Sequence, residues 1–265
     1  MKTGPRKTSI TLVEQDRILL RGYDIADLAG RISWGSAVML TLTGEIPEAR
    51  IGRMMDAILV SIIDHGPTPV STLAACAVAS AGTSLSASVA AGILGIAKHH
   101  GGAIEDCMDV LQECVGLDRS PFEAAAVIVQ KYQERGERVP GFGHRQHTSD
   151  PRTRRLFELA SEEGIAGKYV EHARKLEAAL SKAKRKPVPL NADGAIAALL
   201  CEMAFPKAAA NGVFMIARVP GLIAHCMEEQ SRNPPLLPLD PEKYEYDGPQ
   251  KREMPQLGHK GRPKQ

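Results

Sequence analysis

The chain has 265 residues, 43% hydrophobic and 24% charged, with a net charge of +2. That length fills one good core, or one core and a small subdomain. The near-neutral balance gives no basis for nucleic-acid binding, and 4% aromatic residues supply no stacking platform for bases. Alanine and leucine abound while β-branched runs are few, so the chain reads as all-α apart from one hairpin.

That hairpin is predicted at residues 8–20, within TSITLVEQDRILLRGYDIADLA, and LTGEIP closes the first helices. Residues 84–97 (SLSASVAAGILGIA) predict a tightly packed helix, because small side chains let helices approach closely. His99-His100-Gly101-Gly102 breaks that run, and a second helix is predicted over residues 104–115. A histidine at such a break either points into a cavity or caps a helix C-terminus, where the macrodipole favours it.

The densest segment is Arg138-Val139-Pro140-Gly141-Phe142-Gly143-His144-Arg145, followed by Asp150-Pro151-Arg152. Alternate glycines let the backbone turn sharply and approach a ligand closely. His144 beside Arg145 and Arg152 suits an anionic substrate that needs proton transfer, although a surface turn can hold the same residues. The basic run at residues 182–186 (KAKRK) reads either as a solvated helix end or as a contact for phosphates. Next comes Pro189-Leu190-Asn191-Ala192-Asp193-Gly194, which opens the apolar helix AIAALLCEMAF. Asn191 or Asp193 would serve as its N-cap. An acid at the mouth of so apolar a helix is also a candidate half-buried base.

The five cysteines (Cys76, Cys107, Cys114, Cys201 and Cys226) are odd in number and form no CxxC. They read as buried free thiols in a reducing compartment. No signal peptide and no apolar span of about 18 residues is visible, so a soluble, cytosolic protein without membrane association is expected. The proline-rich end predicts an extended arm over residues 233–246 and a mobile tail over 248–265.

These segments, in this order, resemble the citrate synthase family. The family's HGG histidine matches His100, its PGxGH histidine His144, and the aspartate of its N-x-D segment Asp193. The DPR arginine matches Arg152. Phe214-Met215-Ile216-Ala217-Arg218 looks like the FxxAR substrate motif, giving Arg218. The likeness runs from about Thr8 to Tyr246. In compactness the chain looks most like citryl-CoA lyases and the lyase module of ATP-citrate lyase, which Ile62-Ile63-Asp64-His65-Gly66-Pro67 also resembles.

The resemblance implies a large helical body (residues 1–104 and 191–247), with a smaller lobe (105–190) closing over coenzyme A. It implies carbon–carbon bond chemistry between an acyl-CoA and a 2-oxo acid. Asp193 would be the base at the thioester α-carbon, neutral His100 the donor to the enolate oxygen, and His144 the partner of the oxo-acid oxygen. Arg152, Arg218 and Arg145 would bind the substrate. The backbone of Val139, Pro140, Gly141, Phe142 and Gly143 would line the coenzyme A side. No metal is required, since the two histidines polarise both oxygens. No phosphate loop is visible, so ATP use is not expected. A homodimer, or a higher homo-oligomer, built on helices around residues 70–97 is expected.

Two family anchors have no obvious counterpart. An H-x-N histidine would fall at Leu73-Ala74, and an arginine supplied by the neighbouring subunit would fall at Pro238. Their absence predicts an oxo-acid smaller than oxaloacetate, such as pyruvate from a citramalyl-CoA-like substrate. Three classes therefore stand: a cleaving lyase, a condensing synthase with the same residues, and a non-catalytic paralogue that keeps the fold for binding.

Overall fold

The computed structural model describes residues 6–98, 100–144, 148–237, 243 and 245–254. The expected hairpin is present as β1 (Thr11–Glu14) and β2 (Arg17–Leu20), paired antiparallel with Thr11 opposite Leu20, and β3 (Tyr23–Asp24) adds a third strand. Asp16, at φ 58°, makes the tight turn. Arg21 fastens the sheet to the body, donating from Nε and Nη2 to Thr41 O at 3.1 and 2.8 Å.

The rest is helical, as the alanine- and leucine-rich composition predicts. In order come α1 (Ile25–Leu28), α2 (Trp34–Thr43), α3 (Ala49–Ser61), α4 (Val70–Ser80), α5 (Leu85–Leu94) and α6 (Ala103–Gly116). They are followed by α7 (Pro121–Glu134), α8 (Pro151–Glu162), α9 (Lys168–Lys184), α10 (Ala192–Glu202) and α11 (Ala210–Arg232). Side-chain caps set several of the starts. Ser33, Ser84 and Asn191 each accept a backbone N–H from the first turn, and Ser120 forms a full capping box with Glu123.

α10 is the central helix: every residue from Gly194 to Cys201 is buried. An all-round apolar sequence can be helical only if neighbours cover every face. Here α6, α8 and α9 pack directly on it, and the main core adds side chains from α2, α3 and α11. A second cluster joins α6, α7 and α9 through Val110, Ile128, Val129, Leu176 and Leu180. α6 belongs to both clusters, Cys107 and Met108 facing one and Val110 and Cys114 the other.

The small-residue helices α4 and α5 pack against each other and against α11, where Ala75, Ala79, Leu222 and Cys226 are buried together. The expectation of no such span is corrected: Lys207–Arg232, whose best window has a mean hydropathy of 1.2, is long and apolar enough to span a bilayer, with Arg218 inside the run. Of that window 44% is buried inside the fold, and Val213, Phe214, Ala217 and Leu222 of this helix belong to the core clusters. The C-terminal arm starts as expected: Leu236 N and Leu237 N donate to Ser80 O and Oγ, both at 2.9 Å. All five cysteines are free, four of them buried.

Candidate functional site

His100, His144, Asp193, Arg152 and Arg218 come together around one cavity of about 570 Å³. They are drawn from five separate stretches of chain: the α5–α6 connection, the loop after α7, and the starts or faces of α10, α8 and α11. A second cavity of about 520 Å³, between the hairpin and α2, is lined by apolar and hydroxyl residues without a titratable group. It offers shape but no acid–base chemistry.

His100 reaches the cavity because α5 stops at Leu94. The chain then folds back on itself, with Ala97 and His100 exchanging N–H···O bonds of 2.9 and 2.8 Å. The histidine lies beyond the helix end, so capping does not explain it. Its Nε2 shares a 2.8 Å hydrogen bond with the fully buried Ser71 Oγ, and its ring meets Phe214 edge-on at 5.6 Å. Burial, assisted by the charges of Arg218 and His65, lowers its pKa below the ordinary value. The imidazole is therefore neutral near pH 7, the form a hydrogen-bond donor to an oxyanion needs.

Asn191, not Asp193, is the N-cap of α10: its Oδ1 accepts Gly194 N at 3.1 Å. Asp193 sits in the first turn with its carboxyl in the cavity wall. Burial pushes its pKa from 3.8 up to about 6, against the pull of Arg152 and Arg218 and with the help of Asp150. A carboxyl poised there can both take and return a proton near neutrality.

The loop carrying His144 is zipped to the extended segment that leads into α10. Gly143 N donates to Pro189 O at 2.7 Å, Asn191 N to Gly141 O at 3.1 Å, and Asn191 Nδ2 to Gly143 O at 2.9 Å. The close approach expected of these glycines is made to protein. At Gly141 (φ 81°) a Cβ would lie 2.5 Å from Cys107 Sγ and 2.7 Å from Gly194 Cα. Gly143 (φ 91°) has open space around it. Gly141 thus lets the loop lie flat on α6 and α10, and only then do Val139 to Phe142 line the cavity.

Arg218 is 1% exposed, donates from Nε to Ile62 O at 3.1 Å and stacks over Phe214 at 4.7 Å, while its buried Nη1 has no hydrogen-bond partner among the described residues. A buried guanidinium N–H in a cavity wall is a donor placed for an anion. Arg152 donates from Nε and Nη2 to the two oxygens of Asp150, at 3.0 and 2.8 Å. Arg145 and Pro238 lie outside the described residues.

The structure supplies a third histidine that sequence reasoning missed. His65, in the α3–α4 connection, lines the cavity with its ring 6.0 Å from that of His144. Leu73, the position read as a lost histidine, is on α4 and 48% exposed, away from the cavity. Asp64-His65 is visible in sequence, but only the fold shows that this connection faces the cavity. Arg218 holds the same connection through Ile62. Asp64 accepts Gly66 N at 2.8 Å and is bonded to His225 Nε2 at 3.1 Å.

An adjoining cavity of about 370 Å³ shares Arg138, Val139, Phe142 and His144 with the first and adds Lys184 and Lys186 from the basic run.

The family profile described as "Citrate synthase, C-terminal domain" matches residues 31–238. The chain belongs to the citrate synthase family. Among solved structures it is similar to the citryl-CoA lyase from Hydrogenobacter thermophilus. The two are 43% identical with a TM-score of 0.87, over 95% of this chain and 98% of that one. The ATP citrate lyase of Methanosaeta concilii, solved as a D541A mutant with (3S)-citryl-CoA, shares the fold at a TM-score of 0.84 and 23% identity. Among curated sequences, the ATP-citrate synthase beta chain protein 1 of Arabidopsis thaliana is 28% identical over 242 residues. That alignment covers 84% of this chain and 37% of that protein, so the chain spans about a third of the length of such relatives. Family membership fits the cavity, which gathers the trio and both arginines matched by motif.

Proposed function

We propose that the chain is an enzyme of the citryl-CoA lyase type, splitting a 3-hydroxy-3-carboxyacyl-CoA into an acyl-CoA and a 2-oxo acid. The observation that carries this is the convergence of His100, His144, Asp193, Arg152 and Arg218 on one cavity, in a chain similar over nearly its whole length to a citryl-CoA lyase. Arg152 and Arg218 hold the carboxylates, and Arg145 is proposed to assist them. His144 takes the proton of the substrate hydroxyl. As the carbon–carbon bond breaks, its electrons form the enolate of the acyl-CoA, whose oxygen accepts a hydrogen bond from His100. Protonated Asp193 then delivers its proton to the enolate carbon. The reverse sequence is condensation at the same site. His65, beside His144, is placed to share in binding the oxo-acid oxygens.

Coenzyme A is proposed to lie along Val139, Pro140, Gly141, Phe142 and Gly143, with its phosphates toward Arg138, Lys184 and Lys186. The 105–190 lobe would close over it and keep water from the enolate. A homodimer is proposed through α4, α5 and α11, where Val70, Leu73, Leu94 and Met227 are exposed. The five free thiols support a reducing, cytosolic setting.

The test is a panel of citryl-CoA cleavage and condensation of acetyl-CoA with oxaloacetate, pyruvate, glyoxylate and 2-oxobutyrate. Cleavage of citryl-CoA and a preference for oxaloacetate are expected, on the proposal that His65, in the cavity wall beside His144, stands in for one of the two anchors whose absence argued for a smaller acid. A preference for pyruvate would restore the reading drawn from Pro238. No turnover with any pair would favour the non-catalytic paralogue.

A further inference from the structure

Asp150 is 2% exposed, yet it is charged and makes four hydrogen bonds. Its Oδ1 accepts Arg152 N, as the N-cap of α8, and Arg152 Nε, both at 3.0 Å. Its Oδ2 accepts Arg152 Nη2 at 2.8 Å and Ala192 N at 3.2 Å. Ala192 is the first residue of α10, directly before Asp193. A single buried carboxylate therefore grips the guanidinium that lines one wall of the cavity and the helix start that carries the acid–base group in another.

We propose that Asp150 is a positioning residue that locks the Arg152 guanidinium and the first turn of α10 into one unit, fixing the distance from the carboxylate-binding nitrogen to Asp193. The inference rests on the lyase reading for what the two ends bind. Two features support it. The fork pairing uses the Nε–Nη2 edge of Arg152, so Nη1 is the nitrogen left for a ligand. It also keeps that charge from turning onto Asp193, where an ion pair would quench the base. Burial by itself would raise the Asp150 carboxyl, but hydrogen bonds and charge from Arg152 hold it below its ordinary value, so it stays an anion that can accept all four hydrogen bonds.

Asp150→Asn separates this role from simple capping. Asparagine caps a helix as well as aspartate does. It has one oxygen, however. If that oxygen keeps the Arg152 N and Nε bonds, the amide NH2 points at Arg152 Nη2 and Ala192 N, donor against donor.

The experiment measures KM and kcat for both condensation substrates, thermal stability and a crystal structure of D150N. The expected result is a KM for oxaloacetate raised at least roughly tenfold, a kcat lowered by about as much, and a KM for acetyl-CoA within about twofold of wild type. In an Arg152→Gln background D150N should add less than about twofold to the KM for oxaloacetate. Equal changes in both KM values, or full additivity in the double variant, would overturn the proposal in favour of a purely structural role.

A second variant covers the case in which D150N does not fold. Ala192→Pro removes the N–H that Asp150 accepts and puts ring carbon beside the carboxylate instead, and Asn191, at φ −90° and ψ 178°, already has the backbone that precedes proline. It should lower kcat with little change in the KM for oxaloacetate; wild-type kcat would refute the tie to α10. If the wild-type protein turns over no substrate, the lyase reading fails. The D150N crystal structure still decides this inference. A displaced Arg152 guanidinium supports it, and an unmoved one refutes it.

Discussion

Replacing Asp193 by asparagine should destroy activity and stabilise the fold, and the size of the second effect follows from the site. Burial raises the carboxyl pKa from 3.8 to about 6, a shift of 6 − 3.8, about 2 units. At about 1.4 kcal/mol per unit, ionising Asp193 in the folded protein costs about 3 kcal/mol relative to the unfolded chain. The sign fixes the pH window. Below pH 3.8 the group is neutral in both states and costs nothing. The cost grows between pH 3.8 and about 6, and above pH 6 it is present in full.

The amide keeps the shape and never ionises, so D193N should be more stable than wild type by about 3 kcal/mol at pH 8 and by nothing measurable near pH 3.5. For 265 residues the unfolding entropy is about 0.6 kcal/mol/K, which makes the difference in Tm about 5 °C. Calorimetry across pH 4–8 reads it directly. Acetyl-CoA methyl exchange should fall at least about 10²-fold in the same variant. A Tm difference that is absent at pH 8, or that does not change with pH, would show that Asp193 is not a desolvated acid. The argument for its role would fall with it.

Four further outcomes can be checked. Gly141→Ala should cost about 2–4 kcal/mol, since a Cβ would sit 2.5 Å from Cys107 Sγ on a residue at φ 81°, and it should weaken coenzyme A binding; calorimetric titration and melting test both. Ser71→Ala removes the 2.8 Å partner of His100 and should lower kcat by roughly tenfold with a stability loss of about 1 kcal/mol, whereas unchanged kcat would make the contact incidental. Lys184→Glu with Lys186→Glu should raise the Kd for coenzyme A at least roughly tenfold and flatten its salt dependence, leaving oxaloacetate binding alone. Cys107, whose thiol burial raises well above its ordinary pKa, and Cys201, raised to about 12, should resist alkylation at pH 8 until the protein is unfolded.

Much of this protein was legible in its sequence because the signals were local. Small-residue and alanine-rich runs specify helices, the hairpin near residues 8–20 shows in its pattern, and Asn191 is one of the two residues the sequence offers as the cap of α10. The HGG, PGxGH, NAD, DPR and FxxAR segments carried enough chemistry to name five residues that the fold then gathered around one cavity. What could not be read was direction and contact between distant segments. His65 was seen in its motif and passed over, because a connection between helices has no periodicity to say which side faces inward. Gly141 was read as making room for a ligand, but its room is taken by Cys107 and Gly194, residues far from it in the chain. The pKa of Asp193 near 6 and the four-bonded grip of Asp150 likewise exist only once α8, α10 and α11 are packed. Burial and through-space charge are sums over neighbours, and a linear order of residues does not contain its neighbours until the helices close on one another.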